Sequence, residues 1–178
     1  HYVFNLMLGQ LNASHMGLRG SDGIETQTEQ TGLLGIDIEP LKNGVKVSRV
    51  IPDGPADREA SKLSVGDIIL SVNGNEVSSS ENFYAPCLLT ANEKTLLEVQ
   101  NPTGVKREVV IRPTRSISTI LYKEWVAERR KLATTYSGGK LGYLHIRGMN
   151  WTSFEEFERE LMAAGNGKEG IVIDVRYN

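Results

Sequence analysis

The chain has 178 residues, 39% of them apolar and 24% charged, with a formal net charge of −2. That balance fits one globular domain or a small domain with partial neighbours, and it gives no electrostatic reason to expect nucleic acid or an anionic membrane as a partner. A single cysteine, Cys87, excludes an internal disulfide framework, and no apolar run reaches the roughly 18 residues of a membrane-spanning helix.

Residues 2–13 place Val3, Leu6, Met7 and Leu11 at helical spacing, so a helix is expected to end near 12–14. Residues 19–31 are rich in Gly, Gln, Glu and Thr and read as a linker. Glycines then open a strand over 32–39, a turn follows at 40–44, and 45–51 alternates as a second strand. A short helix is expected over 55–62 and a strand over 68–72, closed by Asn73-Gly74, the residue pair best suited to a tight hairpin. A second short helix is expected from Ser79/Ser80 to about Thr90, with Cys87 in it as a buried, inert thiol. Strands over 95–100 and 106–112 flank the turn Asn101-Pro102-Thr103-Gly104.

From Ile117 the pattern changes. Residues 117–121 read as a strand, 123–132 as a charged helix carrying Trp125 and Val126, and Ser137-Gly138-Gly139 as a break. Residues 141–146 form an apolar strand. Thr152 with Glu155 three positions later has the form of a capping box, and the helix behind it aligns Phe154, Phe157, Leu161 and Ala164. The nearly continuous apolar run 170–175 reads as a strand buried on both faces, which makes 141–175 a βαβ unit with parallel strands.

Few residues have the pattern of a chemical site. Leu34-Gly35-Ile36 is either a loop whose backbone N–H groups meet a peptide carboxylate or an edge strand with a bulge glycine. Ser14-His15 places an imidazole at a helix end, where it is either a capping residue or a general base. Asp174 and Arg176 form a strand-end ion pair or a functional pair, and His145 reads as a satisfied core or interface residue rather than a ligand. No His, Cys or carboxylate spacing suits zinc or calcium, no cofactor motif is present, and Gly138-Gly139-Lys140 lacks the rest of a phosphate loop.

The order strand, Gly54-Pro55-Ala56, short helix, Gly66-Asp67, strand, Asn73-Gly74 resembles a PDZ domain of the kind found in proteases. With Leu11-Asn12-Ala13-Ser14-His15 before it and Ile173-Asp174-Val175-Arg176-Tyr177-Asn178 after it, the chain resembles the core of the tricorn protease family, relatives of the C-terminal processing peptidases. The resemblance implies a mixed α/β fold: a PDZ-like, partly open β-barrel with two short helices, an N-terminal helix, and a C-terminal βαβ unit that begins a ClpP/crotonase-like subdomain. It divides the chain into 1–17, the end of a helical core; 18–31, a linker; 32–115, the PDZ domain; and 116–178, the start of the α/β protease core. It implies that His15 is the general base of a serine-peptidase charge relay, that Ser14 helps orient the site, and that Leu34, Gly35 and Ile36 receive a peptide or unfolded protein. The nucleophile and oxyanion donors are expected beyond Asn178, which makes this chain an inactive piece of a longer peptidase, one whose relatives form homo-oligomers. The competing expectations are a non-catalytic PDZ scaffold and an inactive protease homologue. Cytoplasm and periplasm both accommodate one cysteine.

Overall fold

A computed structural model describes residues 2–11 and 29–177. Helix α1, Tyr2–Gly9, forms where the helical spacing predicts it, and its Val3, Phe4, Leu6 and Met7 are exposed. The central element is a six-stranded antiparallel sheet of β1 (Ile36–Leu41), β2 (Gly44–Val50), β3 (Ile68–Val72), β4 (Asn75–Glu76), β5 (Thr95–Gln100) and β6 (Lys106–Ile111). Its order is β1-β2-β3-β5-β6, with β4 paired to β3, so β1 is an edge strand. Val45, Val47, Ile69, Val72, Leu97 and Val99 alternate inward and form the core with Leu63, Ala56 and Cys87. The Asn73-Gly74 hairpin is present, both residues lying at positive φ (50° and 80°), as a two-residue type I′ connection requires.

The Gly66-Asp67 step locks this sheet. Gly66 adopts φ 93° and donates its N–H to Val47 O, while the Asp67 carbonyl accepts from Val47 N–H. The Asp67 carboxylate, 2% exposed, accepts from Ser64 N–H at 2.9 Å and from Arg107 Nη2 at 2.7 Å.

Both short helices expected inside the sheet domain are corrected. Residues 55–62 form two single 3₁₀ turns, Pro55–Asp57 and Glu59–Ser61, separated by an extended Arg58. The carbonyls of Pro55 and Ala56 are taken by the Ser61 hydroxyl and Leu63 N–H instead of by a helical ladder. The helix expected over 79–90 is one 3₁₀ turn, Ala85–Cys87. Pro86 has no N–H to give a ladder, Asn82 Oδ1 turns back to accept from Tyr84 N–H, and Leu89 sits at φ 59°.

After the sheet, α2 spans Ser118–Tyr136 and replaces the strand expected at 117–121. The apolar residues there, Ile117, Ile120 and Leu121, stand at i, i+3 and i+4, which is helical spacing, and α2 packs on the next strand. Strands β7 (Leu141–His145) and β8 (Gly170–Asp174) pair in parallel across α3 (Trp151–Gly165), as the βαβ reading requires. The α3 cap is Asn150, whose Oδ1 accepts from Ser153 N–H, so Thr152 lies inside the helix rather than capping it. Strand β8 is not buried on both faces: it packs on β7 and α3, and Val172 and Ile173 are exposed. Gly142 lets the end of α3 press onto β7: a Cβ there would stand 2.0 Å from the Ala164 carbonyl oxygen.

Candidate functional site

The first site is the free edge of β1 and the loop that leads into it. Two hydrogen bonds fix the loop against the turn over residues 51–56. Ala56 N–H donates to Leu34 O at 3.0 Å, and Ile51 N–H donates to Gly35 O at 2.9 Å. Among the described residues there are no cis peptides, and across a trans peptide N–H and C=O point in opposite directions. The N–H groups of Gly35 and Ile36 therefore both face away from that turn. Gly35 holds φ 75°, and a Cβ there would meet Pro55 Cδ at 2.9 Å, so glycine is needed twice over. Two successive N–H groups on one side of a left-handed glycine make a nest for an anion.

The same bond from Ile51 makes Ile36 and Val50 a non-hydrogen-bonded pair, so Ile36 turns its own N–H and C=O to the free edge. A bulge between Asp37 and Ile38 places the extra residue, Ser48, on β2 and leaves the alternation of β1 intact. Ile38 therefore also faces outward, and Pro40, the next outward position, has no N–H to offer. Leu34 and Ile36 are buried, in the same core cluster as Phe83 and Cys87.

The segment 79–89 runs alongside this edge and forms a second wall. Ser79 N–H donates to Leu41 O at one end, and Gly32 N–H donates to Cys87 O at the other. Leu89 N–H donates to Gln30 O, and Thr31 bridges Leu88. The expectation of a short helix from Ser79/Ser80 to about Thr90 missed these backbone anchors, because they join positions more than thirty residues apart.

A second cluster lies at the C-terminal ends of β7 and β8. Asp174 is buried; its carboxylate accepts from Arg176 Nε and Nη2, from Arg176 N–H, and from the Tyr143 hydroxyl at 2.8 Å. The Arg176 guanidinium holds the Asp174 carboxyl well below the usual carboxylate range, against the opposing effect of burial. Burial, then the Asp174 carboxylate, pushes the Tyr143 phenol up to about 12. This is the strand-end ion pair, one of the two readings the sequence left open for these residues.

His145 Nε2 lies 2.7 Å from Arg176 O, and Nδ1 lies 3.0 Å from the Tyr122 hydroxyl. A carbonyl oxygen only accepts, so Nε2 donates to Arg176 O, and in the neutral imidazole Nδ1 then accepts from Tyr122. Trp125 packs edge-on against the imidazole at 4.9 Å, and Arg147 stacks over the Tyr122 ring at 4.6 Å. Both ring nitrogens are occupied, as the sequence expectation of a satisfied histidine requires. Tyr122 and Trp125 as its partners could not be read from spacing, since α2 and β7 meet only in the fold. Ser14 and His15 lie outside the described residues. Among the described residues no group of three His, Cys or carboxylate side chains is placed to hold a metal, and no helix is long and apolar enough to cross a membrane.

Comparison with known proteins accounts for both parts of the fold. Residues 32–107 match the PDZ domain family. Over 180 residues the chain is 31% identical to tricorn protease homolog 1 of Streptomyces coelicolor, covering 96% of this chain and 17% of that protein. The chain is thus similar to tricorn proteases over nearly its whole length. The tricorn protease homolog of Saccharolobus solfataricus is 27% identical over 186 residues, which cover 99% of the chain and 17% of the relative. The crystal structure of the tricorn protease superposes with a TM-score of 0.66 at 23% identity, over 82% of this chain and 15% of that one, a likeness of fold. The chain spans about a sixth of the length of the curated relatives it matches. It is a protease-related PDZ protein of mixed α/β fold.

Proposed function

We propose that the chain is the PDZ-bearing part of a serine-type peptidase of the tricorn family, and that its PDZ edge receives the free C-terminus of an extended peptide. One observation carries the peptide reading: the Gly35 and Ile36 N–H groups face the same side as the unpaired edge of β1. A terminal carboxylate seats on those donors, and its backbone continues the sheet through Ile36 and Ile38 until Pro40 ends the ladder. Leu34 and Ile36 form the apolar floor beneath the terminal side chain.

For the chemistry, His15 is the general base toward a serine supplied elsewhere in the full-length peptidase, and Ser14 orients the site. Residues 1–17 belong to a helical core, 18–31 link it, 32–115 are the PDZ domain and 116–178 begin a ClpP/crotonase-like subdomain. Similarity to tricorn protease homologues along nearly the whole chain, and the small share of each relative that the chain covers, support this division. The substrate is an unfolded or short peptide, and the assembled peptidase is a homo-oligomer.

Two measurements test the reading. Fluorescence anisotropy with a labelled peptide bearing a free or an amidated C-terminus should show tighter binding of the free acid, and Gly35→Ala should abolish the difference. Equal binding of acid and amide removes the carboxylate role of the loop. In the full-length peptidase, His15→Ala should lose hydrolysis of short fluorogenic peptides by about 10³-fold or more; undiminished turnover removes the base role.

A further inference from the structure

The face of β1 opposite its apolar floor carries charge in an unequal set. Asp37 lies across from Arg49 on β2, and Arg49 Nη1 donates to Asp37 at 3.2 Å. The other arm of the same guanidinium bonds Glu124 of α2. Two carboxylates therefore share one cation. The next acid on this face, Glu39, is matched by Lys46 at 2.5 Å. One negative charge is left over, and the Asp37 side chain that carries part of it is 56% exposed.

The position of this charge relative to a bound peptide follows from strand geometry. Ile36 and Ile38 turn their backbone groups to the free edge, so each exchanges hydrogen bonds with one residue of an added antiparallel strand. A terminal residue seated on Ile36 and the residue two before it, seated on Ile38, bracket a penultimate residue directly opposite Asp37. That pair is of the non-hydrogen-bonded kind, in which opposed side chains approach most closely and share one face. The penultimate side chain is therefore aimed at Asp37, away from the apolar floor.

We infer that Asp37, with Arg49 divided between it and Glu124, makes this edge select peptides with a lysine or arginine in the penultimate position. The inference rests on the groove reading above and adds the class of peptide. A cationic side chain completes a two-carboxylate, two-cation network; an acidic one adds a third negative charge beside the unmatched one.

The test uses the 178-residue chain and fluorescein-labelled hexapeptides ending in Val-Lys-Val, Val-Ala-Val or Val-Glu-Val, with an amidated Val-Ala-Val control. The lysine peptide should bind about two- to fivefold tighter than the alanine peptide, and the glutamate peptide more weakly than either. The preference should shrink as salt is raised. Asp37→Asn should erase the ordering while keeping the difference between free acid and amide. Glu124→Gln, which leaves Arg49 wholly to Asp37, should reduce the lysine preference. Equal binding of the three peptides with the acid–amide difference intact overturns the charge selection alone, as does an ordering that survives Asp37→Asn. Loss of the acid–amide difference in the unmodified chain overturns the groove reading, and the selection falls with it.

Discussion

Replacing Asp67 by alanine tests whether the Gly66-Asp67 step holds the sheet as argued. The carboxylate is 2% exposed and accepts two charge-assisted hydrogen bonds, from Ser64 N–H at 2.9 Å and Arg107 Nη2 at 2.7 Å. Hydrogen bonds to a charged group contribute about 1.5–3 kcal/mol each. The Arg107 side chain is 41% exposed and keeps two bonds to Lys62 O, so water and that carbonyl take up part of its lost pairing. The expected loss is therefore near the lower end, about 3 kcal/mol, with the orphaned Ser64 N–H as the irreducible part. For a chain of this size that corresponds to a fall in Tm of roughly 6–12 °C. Urea titration followed by circular dichroism, with thermal melts alongside, measures both quantities. Asp67→Asn retains an acceptor for Ser64 and should cost less. Arg107→Ala combined with Asp67→Ala should cost clearly less than the sum of the two, because they remove one shared interaction. A fall in Tm of under about 2 °C for Asp67→Ala, or strict additivity in the double variant, would refute the assignment.

Gly142→Ala should destabilise the βαβ unit, since the new methyl would stand 2.0 Å from a backbone oxygen of α3; hydrogen exchange in α3 should speed up while that of the sheet core is unchanged. Ultraviolet titration of the six tyrosines should show one phenol ionising at about 12, and Tyr143→Phe should remove that component. The sign follows from the raised value: Tyr143 stabilises the native state fully below the ordinary phenol range and loses that contribution as pH rises through about 12. Asp174 has the opposite sense. Its lowered value contributes stability above the ordinary carboxylate range, lost as pH falls through the folded-state value, so Asp174→Asn should flatten the acid limb of a stability profile measured below about pH 4.

The elements that could be read correctly were those whose signal is local. Asn73-Gly74 fixes a hairpin because few other residue pairs tolerate two left-handed positions. Val45 to Val50 alternates because one face is covered, and Gly170 to Asp174 is apolar enough to be a strand wherever it packs. The two helices of the sheet domain were misread because their residues have helical spacing, while the carbonyls a helix would use are claimed by Ser61 and Leu63 in one case, and the chain is interrupted by Pro86 in the other. The Thr152 cap was misplaced by two residues because Asn150, equally suited to capping, stands just before it.

Leu34-Gly35-Ile36 shows where the division lies. By itself the sequence determined that a glycine sits between two apolar residues at the mouth of a strand, and that the whole chain resembles the tricorn proteases, because those are properties of residue type and order. Only the tertiary structure decided that the two N–H groups at that glycine face outward, since their direction is set by bonds from Ile51 and Ala56, fifteen and more residues away. Likewise only the fold gave Arg49 two carboxylates to serve, because Asp37 and Glu124 lie 87 positions apart in the chain and meet across a strand and a helix.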